Sequence, residues 1–116
     1  MYVDGFLMAV RTDRKDDYIA LARRAAAIFK EYGALRVVET WADDVPVGEL
    51  TSFPRAVKLE PDETCVFSWI EYPDKETRDI CMEKSFKDPR MDADMNSMPF
   101  DGKRMIFGGF RAVVDE

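Results

Sequence analysis

The chain has 116 residues, 17 of them basic and 23 acidic, for a net charge of -6. That length suits one domain spanning 1–116, with a core that needs neither disulfides nor metals. The acidic balance and scattered cations exclude a nucleic-acid surface, which requires clustered positive charge, and the absence of histidine removes Ser-His-Asp and Cys-His nucleophiles, His-ligated metals and imidazole acid–base chemistry.

Taken in chain order, residues 2–11 alternate, with Tyr2, Asp4, Phe6, Met8 and Val10 against Val3, Gly5, Leu7 and Ala9. Period two with both faces largely apolar predicts a strand covered on both sides. Asp13, with Asp16 three residues on, predicts the cap of a helix whose apolar stripe is Tyr18, Leu21, Ala22, Ala25, Ile28, Phe29 and Tyr32. Gly33 supplies the left-handed residue that ends it. Residues 35–42, rich in β-branched and aromatic side chains, predict a second strand. Residues 43–62 carry Pro46, Gly48, Pro54 and Pro61, a connection too broken for a continuous helix.

Residues 64–72 alternate again as a third strand. Pro73-Asp74 opens a second helix, in which Asp74 caps, Glu76 favours the first turn and Pro89 stops the run. A polar loop and Asp101-Gly102 lead to a last strand over 103–114. No window approaches the roughly 18 apolar residues of a membrane span, and the first segment reads as a strand, not a secretory leader. The cytoplasm is the expected location, with no membrane partner. Cys65 and Cys81 stand without CxxC spacing and are expected to be reduced core thiols. Neither a metal nor a cofactor is expected.

The order βαββαβ predicts an α+β, ferredoxin-like sandwich, an antiparallel four-stranded sheet with two helices on one face. Helices on one face leave the other bare. Yet Phe6, Met8, Trp41, Phe67, Trp69, Met105 and Phe107 place apolar side chains on both. An exposed patch of that size is resolved by pairing with a second copy, sheet against sheet, as a homodimeric α/β barrel.

Five blocks point further: Tyr2-Val3-Asp4-Gly5-Phe6, Gly33-Ala34-Leu35-Arg36-Val37-Val38-Glu39, Trp41-Ala42-Asp43-Asp44-Val45-Pro46, Val66-Phe67-Ser68-Trp69-Ile70-Glu71-Tyr72-Pro73, and the stretch 98–110. In these the chain resembles the bacterial YbaA-like family (domain of unknown function 1428) along essentially its whole length. The resemblance implies the dimeric α/β-barrel superfamily and brings no established activity. Thr40 is a departure, since the resemblance implies cysteine there in many relatives.

Candidate chemistry lies first in the charges set within strands: Asp4, Glu39 and Glu71 against Arg36, Arg104 and Arg111. Such charges must be paired or face a wet cavity. By alternation Glu39 shares a face with Trp41, and Glu71 with Trp69, so these carboxylates are candidates for proton transfer or substrate orientation beside aromatic walls. The alternative is that they form inter-strand or inter-subunit ion pairs or lie in water at strand ends. Asp43-Asp44 reads as turn chemistry or a weak hard-cation site, and Asp92-Ala93-Asp94-Met95-Asn96 as an incomplete calcium-loop pattern. Asp101-Gly102-Lys103-Arg104 is either an anion site or a turn followed by a strand's wet end. Gly108-Gly109 permits close approach of another group.

Two functions remain open. One is a small-molecule-binding protein or cofactor-free enzyme with a pocket at the sheet or dimer seam, walled by Trp41, Trp69 and Met105 and anchored by the acids or by Lys103 and Arg104. The other is a non-catalytic homodimer acting as a protein-interaction module. The superfold hosts enzymes of several kinds, which is analogy alone.

Overall fold

The structure, a computed structural model, describes residues 1–91 and 98–116. Four strands, β1 (Tyr2–Arg11), β2 (Arg36–Glu39), β3 (Glu63–Tyr72) and β4 (Ile106–Arg111), alternate with α1 (Lys15–Glu31), a short α2 (Phe53–Ala56) and α3 (Lys75–Lys87). The sheet order is β2-β3-β1-β4 with every neighbouring pair antiparallel. This is the ferredoxin-like α+β arrangement that the element order implies.

β1 and β3 form the centre. They pair along their whole length, from Tyr2 opposite Tyr72 to Arg11 opposite Glu63. Residues opposite one another share a face. Tyr2, Met8, Val10, Val66, Ile70 and Tyr72 therefore point one way and are buried, under the helices. On the other face Ala9, Cys65 and Val57 form a second buried cluster, against which Leu7, Ala42 and Leu59 pack. The 43–62 connection thus covers one end of the face that the helices leave bare. Elsewhere that face stays open, with Phe67, Ile106 and Phe110 exposed.

Local sequence explains the helix ends. The chain leaves β1 through a single 3-10 turn, Thr12–Arg14, so α1 begins at Lys15 and its capping position falls on Arg14, which offers no side-chain bond. Asp13 does not cap; it receives Arg11 Nη2 at 3.0 Å instead. The first turn keeps its favourable negative charge from Asp16 and Asp17. At the other end Gly33 has φ 117°, and a Cβ there would also meet Thr77 Cγ2 at 2.9 Å, so two constraints select glycine. Asp74 caps α3 by accepting from the Thr77 amide at 2.7 Å. Asp88 takes extended backbone before Pro89 and ends that helix.

Two strands are shorter than their predicted spans. Past Glu39 the chain still follows β3, with Thr40 and Ala42 amides donating to the Phe67 and Cys65 carbonyls at 3.1 Å each. Before Ile106, residues 101–105 are held in turns closed by Arg104 and Met105 amides on the Asp101 and Gly102 carbonyls.

Gly109 lies opposite Asp4 on the helix side of the sheet. A Cβ there would sit 2.3 Å from both Arg78 Nη2 and Tyr2 Oη, and 2.8 Å from Tyr2 Cε1. The close-approaching groups belong to this same chain. Tyr2 is buried and Arg78 is tied to Asp4 and Asp79, so neither can step aside without breaking other contacts. Gly109→Ala should therefore lower stability by about 1–3 kcal/mol, the scale of overpacking. Gly102→Ala, whose Cβ would meet only Met98 Cε at 4.0 Å, should be near neutral. Urea unfolding of the two variants gives the comparison, and equal midpoints would refute the close-approach account.

Candidate functional site

A cavity of about 290 Å³ lies between α1 and the sheet. Ala22 and Ala25 of α1 and Ser68 of β3 line it, and their short side chains leave the helix and sheet surfaces unfilled at this point. Phe6, Met8, Phe29, Ile70 and Phe86 make apolar walls, and Met91, Met98 and Met105 line the remaining side. Methionine adapts to irregular shapes, so this side can conform to what it encloses.

One corner of the cavity is polar. β2 alternates so that Val37 and Glu39, opposite Ile70 and Ser68, face the helices. The first turn of α1 brings Tyr18 to the same place. Its hydroxyl donates to Glu39 Oε2 at 2.5 Å, and Ser68 also bonds to the carboxylate. Burial raises the Glu39 pKa, with the Tyr18 and Ser68 bonds pulling against it. Burial, then the neighbouring Glu39 charge, pushes the Tyr18 phenol far above its ordinary range. Tyr18 therefore stays a neutral donor that orients the carboxylate, and Glu39 is the group able to exchange a proton or receive a donor. Glu39 as a residue is exposed, with its carboxylate lining the cavity, so a ligand can reach it.

The other candidate residues are distributed elsewhere. Asp4 is buried and receives Tyr72 Oη at 3.0 Å and Arg78 Nε at 3.0 Å. Glu71 lies on the open sheet face, where it accepts from Trp69 Nε1 at 2.9 Å with Arg36 at 3.6 Å. Trp69 leans on Phe67, ring centroids 5.7 Å apart. Trp41 packs on the opposite side against the cluster of Met8, Val10, Tyr18 and Val66, with Lys15 Nζ 5.3 Å from its ring. The two tryptophans thus border different spaces, and of the candidate walls only Met105 joins Glu39 in the cavity. Arg104 grips both Glu63 oxygens at 2.7 and 2.6 Å and also reaches Asp101 and the Lys58 carbonyl. Lys103 is exposed, its amide on Asp101 Oδ1.

Two other hollows are less suited to chemistry. A trough of about 590 Å³ beside α2 is wide open, and its Arg55 is spent on the Val47 and Gly48 carbonyls. A smaller one of about 230 Å³ includes Trp41, Asp43, Phe53 and Phe67. Thr40 donates its hydroxyl to the Phe67 carbonyl. Among the described residues no cluster of three metal-ligating side chains occurs, and the calcium-like run 92–96 lies outside the described residues.

Sequence reasoning missed Tyr18, Ser68 and Arg78. Tyr18 sits in the apolar stripe of α1, and nothing in its spacing reveals that its hydroxyl meets Glu39, 21 positions on. A serine alternating with Val66 and Ile70 on a strand otherwise apolar on that face was the available signal for Ser68.

The raised Glu39 pKa has a definite sign in stability. Below the ordinary carboxylate range the group is protonated whether folded or not, and it costs nothing. As pH rises through that range toward the raised folded-state value, the unfolded chain ionises more readily, and stability is lost. Glu63 and Asp88, held low by Arg104 and Arg90, impose the opposite trend, gaining stability above the carboxylate range. That trend is common to wild type and a Glu39→Gln variant, so their difference isolates Glu39. The melting temperature of Glu39→Gln relative to wild type should rise between about pH 4 and pH 7. A difference that is flat or falls with pH in scanning calorimetry would refute the assignment.

Comparison with known proteins places the chain. The family profile described as "Protein of unknown function (DUF1428)" matches residues 1–102. The uncharacterized protein YbaA of Escherichia coli K12 is 59% identical over 115 residues, covering 99% of this chain and 98% of that protein, and the Shigella flexneri YbaA matches equally. Among solved structures, a dimeric ferredoxin-like protein from an uncultured marine organism superposes with TM-score 0.65 at 10% identity, covering 100% of this chain and 98% of its own. An uncharacterized NIPSNAP domain protein from Burkholderia xenovorans superposes at 0.61 with 15% identity, covering all of both chains. At such identities these two speak to fold alone. No helix among the described residues is long and apolar enough to cross a membrane. By both the profile and the whole-length relatives, the chain belongs to the DUF1428 family of proteins of unknown function.

Proposed function

We propose that this protein binds a small, largely apolar molecule in the cavity between α1 and the sheet, as a ligand-binding protein or an enzyme that works without a cofactor. The observation that carries the reading is the Glu39–Tyr18–Ser68 corner set into otherwise apolar walls. A largely apolar recess with a few convergent polar groups is a common form of small-molecule site. If the protein is an enzyme, Glu39 is its acid or base and Tyr18 positions it. Asp4, with its oxygens committed to Tyr72 and Arg78, serves the fold instead.

Assembly is part of the proposal. Phe67, Ile106 and Phe110 are exposed on the face away from the helices, beside Trp69, and a second copy laid against that face would cover them and complete a barrel. The marine structural neighbour described as dimeric supports this pairing. Cys65 and Cys81 are both buried and free, which suits a reducing cytoplasm. The alternative of a non-catalytic interaction module draws on Val47 and Leu50, exposed in the 43–62 connection.

The uncharged dye N-phenyl-1-naphthylamine tests the cavity. Its fluorescence should rise on adding the protein, and Ala25→Phe, which fills the space from α1, should weaken binding about tenfold while circular dichroism stays unchanged. Lack of a rise, or a well-folded Ala25→Phe that binds as before, would favour the interaction module.

Light scattering tests assembly separately. The wild type should give twice 13.4 kDa at micromolar concentration, and Phe110→Lys should shift the mass toward a single chain. A monomer mass for the wild type throughout that range would refute the pairing.

A further inference from the structure

We propose that the ligand of this cavity is a small primary amine, an apolar body with one cationic head received by the Glu39 carboxylate. The inference rests on the cavity being a ligand site and goes further by assigning the ligand's charge.

The other strand carboxylates each carry a countercharge. Asp4 has Arg78 at 3.0 Å, Glu63 has Arg104 at 2.6 Å and Glu71 has Arg36 at 3.6 Å. Glu39 differs. Its partners are two neutral hydroxyls, Tyr18 and Ser68, and no lysine or arginine occurs among the described residues that line the cavity. Glu39 is an exposed residue whose carboxylate borders the cavity without a countercharge, and a cation that arrives with the ligand gains a charge-assisted partner there. Ionised carboxylates accept at about four lone-pair sites, so two hydroxyl donors leave capacity for an ammonium.

The rest of the space sets the ligand's body. Phe6, Phe29, Ile70 and Met105 offer no hydrogen-bonding partner, so everything beyond the head must be apolar. A volume of about 290 Å³, open to solvent on one side, equals roughly ten water molecules and admits a body of about one to two aromatic rings. An anionic head would meet repulsion from Glu39, and a neutral one would leave the carboxylate uncompensated.

Three probes of matched size separate these cases: phenethylamine, 2-phenylethanol and 3-phenylpropanoate, titrated into the full-length protein at pH 7 and followed by ligand-observed NMR. The amine should bind about tenfold tighter than the alcohol, the scale of one charge-assisted hydrogen bond, with the propanoate weakest. Glu39→Gln keeps an acceptor for Tyr18 and should bring amine and alcohol within about threefold of each other. The wild-type ranking needs no variant, so the inference stays testable even if Glu39→Gln folds poorly. An alcohol that matches the amine, or an amine preference that survives Glu39→Gln, overturns the charge assignment and leaves the cavity reading standing. So does failure of the amine to bind protein that still takes the naphthylamine dye. If neither the dye nor any of the three binds, the ligand-site reading falls as well.

Discussion

Asp4 sits on the helix side of a central strand with 5% of its surface exposed, and a carboxylate in that position requires a cation and donors fixed around it. Arg78 reaches it from α3 and Tyr72 from β3. Arg78 also stacks over the Tyr2 ring, 5.1 Å to its centroid, and the whole group fits under β4 only because residue 109 has no side chain. This one ionic contact thus fixes where α3 sits on the sheet and which residue β4 must present to it. Removing either partner would leave the other charge without its match in a poorly solvated place, which is costlier than never having had the pair.

The same sheet uses its carboxylates in two ways. Asp4, Glu63 and Glu71 each lie against an arginine, and they hold elements together: α3 to β1, the 101–105 turns to β3, and β2 to β3. Glu39 is held by hydroxyls and bounds an unfilled space. The two roles are told apart by what stands opposite, and that is a property of packing between elements distant in sequence.

This explains what could be read from the residues and what could not. Alternation in residues 2–11 and 64–72, the helical stripe from Tyr18 to Tyr32, Gly33 and the Asp74 cap are local signals, and they carry the ferredoxin-like fold. The alternation also placed Glu39 with Trp41 and Glu71 with Trp69 correctly by face. It could not show that those two pairs lie on opposite sides of the sheet, because that depends on the register of β2 against β3. Nor could it distinguish Arg104, which closes a turn onto Glu63, from a cation awaiting an anion. Asp13 misled because a 3-10 turn shifted the start of α1 beyond it.

The strand order has a consequence for how the chain acquires its shape. β1 is the first strand made, yet its neighbours are β3 and β4, so its partners begin at Glu63 and Ile106. Both of its edges stay without partners through the emergence of α1 and β2 from the ribosome. The last pairing brings residues 1 and 112 side by side, the Ala112 amide donating to the Met1 carbonyl at 3.0 Å. Contacts of such long sequence separation close late and slowly. The fold is therefore sealed from its C-terminal end, and a nascent chain stopped short of β4 carries a central strand with one side still open to whatever strand it meets.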